Sequence, residues 1–186
     1  YVIQLDSDTL TLAPIPEVCE AARSNTSFAI STWDDQEIEG MRERQQHAAR
    51  LVAESDGKAH IQVVAEANFD KLTEFRQLRY LRGCAGFSGF GKGSVDHSFI
   101  ENISAEMFSA LGDRWAEWGS EQVMSNIVVA NCPKALPLPH PKYCDCTRMS
   151  SEKTVFVHFI GTCRFSANIY AKHASRFLRQ KSENPV

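Results

Sequence analysis

Apolar runs and amphipathic stretches alternate along the chain, and this alternation predicts strands and helices in turn. Apolar runs predict buried strands at residues 1–5, 28–31, 61–64 and 154–157, with a further apolar stretch at 78–81. Helical periodicity or helix-start signals predict helices at residues 17–23, 38–52, 104–118, 120–130 and 166–180. The pattern is typical of an α/β architecture. A length of 186 residues suits a single domain over residues 1–186.

The sequence also predicts an N-terminal cap for one of these helices and a buried face for another. Asp34 or Asp35 is placed to cap the helix at 38–52. The last helix has apolar side chains at helical spacing, as expected of a helix that docks on a core: Tyr170, Ala174, Phe177 and Leu178.

Composition narrows the function classes. Apolar residues make up 43% of the chain, charged residues 23%, and the formal net charge is −3, which is the profile of a globular protein without the basic excess that nucleic-acid binding needs. No apolar run approaches the roughly 20 residues that cross a bilayer. Because residues 1–5 already form a strand pattern, we expect the chain to be a fragment whose earlier elements precede Tyr1.

Six cysteines form an even set, so a disulfide framework stays open. Their irregular spacing favours free, buried thiols and a reducing compartment. We therefore expect a cytoplasmic location, with association to a membrane surface left open.

Asp6 and Asp8 follow the first apolar run directly. In extended backbone, residues two apart point to the same side, so both carboxylates would lie together at the carboxyl end of a strand, where open α/β sheets bind ligands. Carboxylate oxygens suit Mg²⁺ or Mn²⁺. The alternative is an ordinary turn, since Asp-Ser-Asp is common turn chemistry.

His158 ends the apolar run at 154–157. If this strand and the strand at 1–5 lie parallel in one sheet, His158 meets the two carboxylates, and the mixed donor set favours Mn²⁺ over Mg²⁺. A buried histidine bonded to a backbone carbonyl is the alternative. Gly161 would allow close backbone approach, and Arg164 could clamp a diphosphate.

Together with Cys84-Ala85-Gly86 and Glu121-Gln122, these motifs resemble the GT-A glycosyltransferases of the glycogenin and bacterial lipopolysaccharide galactosyltransferase type. That family has a strand ending in Asp-x-Asp, an Asn-Ala-Gly segment, an Asp-Gln pair and a later His-x-x-Gly-x-x-Lys. The resemblance covers most of the chain in the same order. It implies a GT-A-like mixed sheet flanked by helices, incomplete at its N-terminus.

The resemblance implies a metal-dependent transfer of a sugar from a nucleotide-sugar donor, a UDP-sugar, to an unidentified acceptor, with retention of anomeric configuration. Implied roles fall into three groups. The implied manganese ligands are Asp6, Asp8 and His158. The implied donor-binding residues are Asp6, Cys84, Ala85, Gly86, Gly161 and Arg164. The implied catalytic residues facing the sugar are Gln122 and Glu121.

Three positions depart from the family pattern: Cys84 stands for asparagine, Glu121 for aspartate and Arg164 for lysine. These departures leave a catalytically silent sugar- or nucleotide-binding module as an alternative. A metal-dependent phosphohydrolase that uses the same aspartates is a further one.

Other features have simpler interpretations. Among the tryptophans, Trp33, Trp115 and Trp118 could stack on acceptor sugars, but core packing is favoured for Trp115. Cys144 and Cys146 lack a second ligand pair at zinc spacing. The glycine-rich stretch 83–93 lacks the Gly-Lys-Ser/Thr order of a phosphate loop.

Overall fold

A computed structural model describes residues 1–31, 37–150 and 152–183. The strands and helices of these residues alternate along the chain. The strands are β1 (Val2–Leu5), β2 (Thr9–Thr11), β3 (Ser27–Ser31), β4 (Ile38–Gly40), β5 (Arg79–Leu81), β6 (Gly83–Phe90), β7 (Ala135–Leu138), β8 (Tyr143–Asp145) and β9 (Phe156–His158). The α-helices are α1 (Pro16–Arg23), α2 (Met41–Ala53), α3 (Ile61–Ala67), α4 (His97–Leu111), α5 (Ser120–Asn131) and α6 (Ile169–Glu183). Short 3₁₀ segments occupy Phe69–Lys71, Gly112–Ala116 and Gly161–Asn168.

The strands form mixed sheets flanked by helices, so the α/β prediction is confirmed. A four-stranded sheet has the order β1-β6-β3-β7, with β7 parallel to β3 and the other neighbours antiparallel. A three-stranded sheet has the order β2-β9-β8, with β8 parallel to β9. Strands β4 and β5 make a separate antiparallel pair.

Two apolar clusters hold these layers together. One packs the four helices α2, α3, α4 and α5 against each other, around fully buried side chains that include Met41, Phe69 and Ile127. The other joins the two larger sheets, because Phe87 of β6 stacks on Phe156 of β9 with ring centroids 4.1 Å apart. This aromatic contact packs β6 against β9 next to the candidate site, since Phe87 follows Gly86 and Phe156 lies two residues before His158.

The predicted place of the first strand is wrong in two respects. β1 is an exposed edge strand rather than a buried one, with Val2 at 64% and Leu5 at 57% exposure. It also lies in a different sheet from β9, so the two strands are not parallel neighbours. A hydrophobic run alone does not distinguish an edge strand from a central one.

Residues 61–64 form part of helix α3, not the predicted strand. Ile61, Val64 and Ala65 are buried at helical spacing, and His60 accepts a hydrogen bond from the Gln62 backbone N–H at the helix start. Burial and capping therefore outweigh the strand preference of the valines.

The remaining helix predictions hold with shifted ends. α4 begins at His97 and gives way to 3₁₀ geometry at Gly112, whereas α5 matches its prediction closely. On α6, Leu178 is 67% exposed, so it does not join the docking face expected for it. The predicted caps Asp34 and Asp35 lie outside the described residues, as does Trp33.

The cysteine prediction is wrong for one pair. Cys146 and Cys163 form a disulfide, whereas Cys84, Cys132 and Cys144 are buried thiols and Cys19 is an exposed one. The two bonded residues lie 17 positions apart, a separation that sequence alone does not mark as a bridge. Among the described residues, no helix is both long and apolar enough to cross a bilayer.

Candidate active site

The segment from Asp6 to Asp8 passes from one sheet to the other. At its start, the Asp6 backbone N–H donates to the Gly86 carbonyl at 3.0 Å, continuing the pairing of β1 with β6. At its end, the Phe159 N–H donates to the Asp8 carbonyl at 2.9 Å, and Thr9 pairs with His158 in the second sheet. The two carboxylates thus meet His158 through antiparallel pairing of β2 with β9.

His158 lies against both carboxylates. Its Nε2 is 3.2 Å from Asp8 Oδ1 and 3.4 Å from Asp6 Oδ2. One candidate ligand atom from each of the three residues lies within 4.8 Å of the others. The imidazole and Asp8 are mostly buried, while Asp6 is about half exposed. The three side chains therefore form one acidic cluster open to solvent on the Asp6 side.

The other imidazole nitrogen of His158 contacts a thiol. Nδ1 lies 3.1 Å from Cys84 Sγ, and both groups are buried. Burial raises the pKa of the Cys84 thiol to about 12, and the carboxylates of Asp6, Asp145 and Asp8 act in the same direction. The thiol therefore stays protonated at neutral pH. Among the described residues, the His158 side chain contacts Cys84, Asp6 and Asp8, rather than the backbone carbonyl of the simpler interpretation.

Gly86 leaves the space that the imidazole fills. A Cβ built on Gly86 would overlap His158 Cε1 and Nδ1 and lie 2.9 Å from Nε2. The resemblance implies a donor-binding role for this glycine, and its backbone does line the cavity described below. Its direct structural role is to seat His158.

Arg164, in the 3₁₀ segment that follows β9, pairs with one carboxylate of the acidic cluster. One guanidinium nitrogen lies 2.9 Å from Asp8 Oδ2, and Nε donates to the Gly161 carbonyl at 2.8 Å. Gly161 has φ +49° and open space around its missing Cβ, so its left-handed backbone, not crowding, favours glycine here. The Cys146–Cys163 disulfide ties this 3₁₀ segment to the residue after β8.

The two expected catalytic residues differ in their contacts. Gln122 bridges two walls of the site: its Oε1 accepts from the Ala85 N–H at 3.4 Å, and its Nε2 donates to Gln62 Oε1 at 2.7 Å. Glu121 accepts from the Gly119 N–H at 2.8 Å and so caps its own helix. Gln122 is therefore held toward the cavity by contacts outside its helix, while part of the Glu121 carboxylate is used locally.

A buried polar network supports this wall from behind. The Tyr80 hydroxyl donates to Glu66 Oε1 at 3.0 Å, Arg82 Nε donates to the same oxygen at 3.3 Å, and Gln62 Nε2 donates to the Tyr80 oxygen at 3.4 Å. Glu66 is fully buried, and burial raises the pKa of its carboxyl despite the opposing charges of Arg82 and Arg44.

All ten residues proposed from sequence line one cavity of about 540 Å³. The same cavity is lined by groups that the sequence analysis did not assign, notably His60, Gln62, Arg82 and Asp145. Gln62 and Arg82 carried no motif signal. Asp145 is brought to the cavity by the parallel pairing of β8 with β9, where it lies opposite His158. Trp118 lines the cavity at 80% exposure, whereas Trp115 is core, as predicted.

The donor set fits a hard divalent cation. Two carboxylates and an imidazole nitrogen converge, and this set of donors is not specific to one divalent ion, since both Mn²⁺ and Mg²⁺ take oxygen ligands. A cation bound at Nε2 requires the proton on Nδ1, where Cys84 Sγ is within hydrogen-bond distance to accept it. A partner on the far nitrogen is the usual support for a metal-ligating histidine.

No protein-family model matches this chain, and no similar protein was found among the curated proteins or the solved structures.

Proposed function

We propose that this chain carries the catalytic portion of a GT-A-like glycosyltransferase that moves a sugar from a nucleotide-sugar donor to an acceptor. One observation supports the proposal. The side chains of Asp6, Asp8 and His158 converge so that they could hold a metal ion, and Arg164 contacts Asp8. Ala85 and Gln122 line the same cavity. These residues come from four separate segments of the sequence.

The acidic cluster and Arg164 would hold the donor's diphosphate. A divalent cation bound by Asp6, Asp8 and His158 would supply charge neutralisation to the leaving diphosphate. Arg164 contributes a guanidinium that can pair with phosphate oxygens once it exchanges its contact with Asp8. The Arg164 side chain is about one-third exposed, so its guanidinium can turn from Asp8 to a phosphate without leaving a fully buried position.

The wall around Gln122 would hold the sugar. Its side-chain amide is fixed by Ala85 and Gln62, so it can orient the sugar without rearranging. In the transfer, the bond from the anomeric carbon to the diphosphate oxygen breaks with its electron pair leaving on that oxygen. The acceptor hydroxyl oxygen bonds to the anomeric carbon, and its proton passes to the departing diphosphate oxygen. Retention of configuration stays a prediction from the resemblance.

The test measures product release from a panel of UDP-sugars with and without Mn²⁺. We expect free sugar or transferred sugar plus UDP only when Mn²⁺ is present. Asp8→Asn should lower the rate by at least about 100-fold, since it removes one of the two negative charges proposed to bind the cation and the charge that pairs with Arg164. Asp113→Asn is the control, because Asp113 is an exposed acid outside the cavity lining.

Three results would contradict the proposal. UDP-sugar binding without any turnover would assign a silent binding module. Release of inorganic phosphate would assign a phosphohydrolase. Equal rates with and without Mn²⁺ would remove the cation from the reaction.

A further inference from the structure

A second recognition surface lies in the same cavity, away from the acidic cluster. It consists of Trp118 and His60, and we call it the aromatic rim. The two rings are edge-to-face, with centroids 5.6 Å apart and an interplanar angle of 87°. Trp118 is 80% exposed, the largest exposed fraction among the big apolar side chains of the described residues.

Local backbone geometry builds the aromatic rim. Gly119, directly after Trp118, has φ +107°, and a Cβ there would lie 2.6 Å from His60 Cε1. A side chain at this position would therefore collide with His60. His60 Nδ1 accepts the Gln62 N–H at the start of α3, which fixes the ring and leaves Nε2 free to carry the proton. The exposed indole therefore packs its edge against an imidazole whose own position is constrained.

A chain of contacts connects the aromatic rim to the acidic cluster. From His158 it runs through Cys84 to its neighbour Ala85, then through the Ala85–Gln122 and Gln122–Gln62 hydrogen bonds. The Gln62–His60 contact completes it. Gln122 thus stands between the two ends of the cavity wall.

This order suggests what the rim binds. If the diphosphate lies at the acidic cluster and the donor sugar at Gln122, as the proposed function has it, the next group along the wall is the acceptor. An exposed indole face with polar neighbours suits the apolar C–H face of a pyranose and its hydroxyls. We propose that the aromatic rim is the binding subsite for a saccharide acceptor. This inference rests on the proposed function for its placement.

The test is saccharide binding to the chain in the absence of Mn²⁺ and nucleotide. Saturation-transfer NMR would be run with lactose, maltose and methyl β-D-glucopyranoside as probes. We expect transfer to ring C–H protons of at least one probe, and an affinity at least about tenfold weaker in Trp118→Ala, the loss typical of removing an aromatic anchor. Trp118→Phe should retain part of the affinity.

Phe108→Ala is the matched control, because Phe108 is a half-exposed aromatic on α4 outside the cavity lining. It should bind the saccharides as the wild type does. Since Trp118 is exposed, its truncation should leave the fold intact, which the thermal unfolding midpoint would verify.

Two outcomes would overturn the inference. One is that none of the three saccharides binds the wild type. The other is that Trp118→Ala binds them with unchanged affinity. If a separate titration shows that this variant has instead lost affinity for UMP, the indole belongs to a nucleobase site, which equally overturns the inference. The saccharide-binding experiment contains neither Mn²⁺ nor a nucleotide-sugar, so a negative result there does not affect the outcome of the UDP-sugar assay. Conversely, saccharide binding can still be measured if the UDP-sugar assay shows no turnover.

Discussion

Substituting Gly86 by alanine tests whether the His158 ring sits where the site requires it. The added methyl would overlap Cε1 and Nδ1 of the imidazole. The ring has little freedom to retreat, because Cys84 Sγ lies at 3.1 Å on one nitrogen and Asp8 at 3.2 Å on the other. Either the imidazole leaves the carboxylates or β6 shifts away from β9.

Overpacking of a well-packed site costs about 1–3 kcal/mol. For a chain of this length each kcal/mol lowers the unfolding midpoint by about 2–4 °C, so Gly86→Ala should lower it by about 2–12 °C. The free energy of unfolding, measured by urea titration, gives the cost directly.

A double-mutant cycle with His158→Ala isolates the contact. Removing the ring removes the overlap, so Gly86→Ala should cost less in the His158→Ala background, with a coupling energy of about 1–3 kcal/mol. Gly93→Ala is the control: its φ of +67° strains any alanine, but nothing lies within 4 Å of the added Cβ. Its cost should be the same in both backgrounds. A coupling energy near zero for Gly86 would refute the placement of the imidazole.

Further predictions concern groups around the cavity. Because burial raises the pKa of Glu66 above its ordinary value of 4.5, its contribution to stability is present at low pH and is lost as pH rises through the raised pKa. The wild type should therefore lose stability relative to Glu66→Gln as pH rises above about 4.5, measured by urea titrations at several pH values, and a relative gain would contradict the assignment. Cys146→Ser, which removes the bridge to Cys163, should lower the free energy of unfolding by about 2–4 kcal/mol under non-reducing conditions, whereas exposed Cys19→Ser should change it little. Equal stability of the Cys146 and Cys19 variants would argue against the bridge.

The sequence predicts correctly that the three site residues converge, but it does not predict the strand arrangement that brings them together. Asp6, Asp8 and His158 do converge, but the predicted route, two parallel strands in one sheet, is wrong. The carboxylates lie on a crossover between sheets, and β2, a three-residue strand with no strong pattern, pairs with β9 to deliver them. Short strands are defined by tertiary pairing, which local periodicity does not encode.

The contacts that support the site, those of Gly86 and Gln62, could not be predicted from the sequence for a different reason. The family resemblance implies a ligand-binding role for Gly86, yet the need for glycine there comes from the His158 ring, 72 positions away in the chain. Gln62 lay in a segment predicted as a strand, and only as part of α3 does it reach Gln122 and Tyr80. These roles depend on which side chains meet across elements, and a single sequence carries no record of that.

We propose that Asp6, Asp8 and His158 share one divalent cation, and electron paramagnetic resonance of bound Mn²⁺ measures this binding. We expect one bound Mn²⁺ per chain, with affinity reduced at least about tenfold in both Asp8→Asn and His158→Ala and retained in Asp113→Asn. Mn²⁺ affinity unchanged in the first two variants would contradict it.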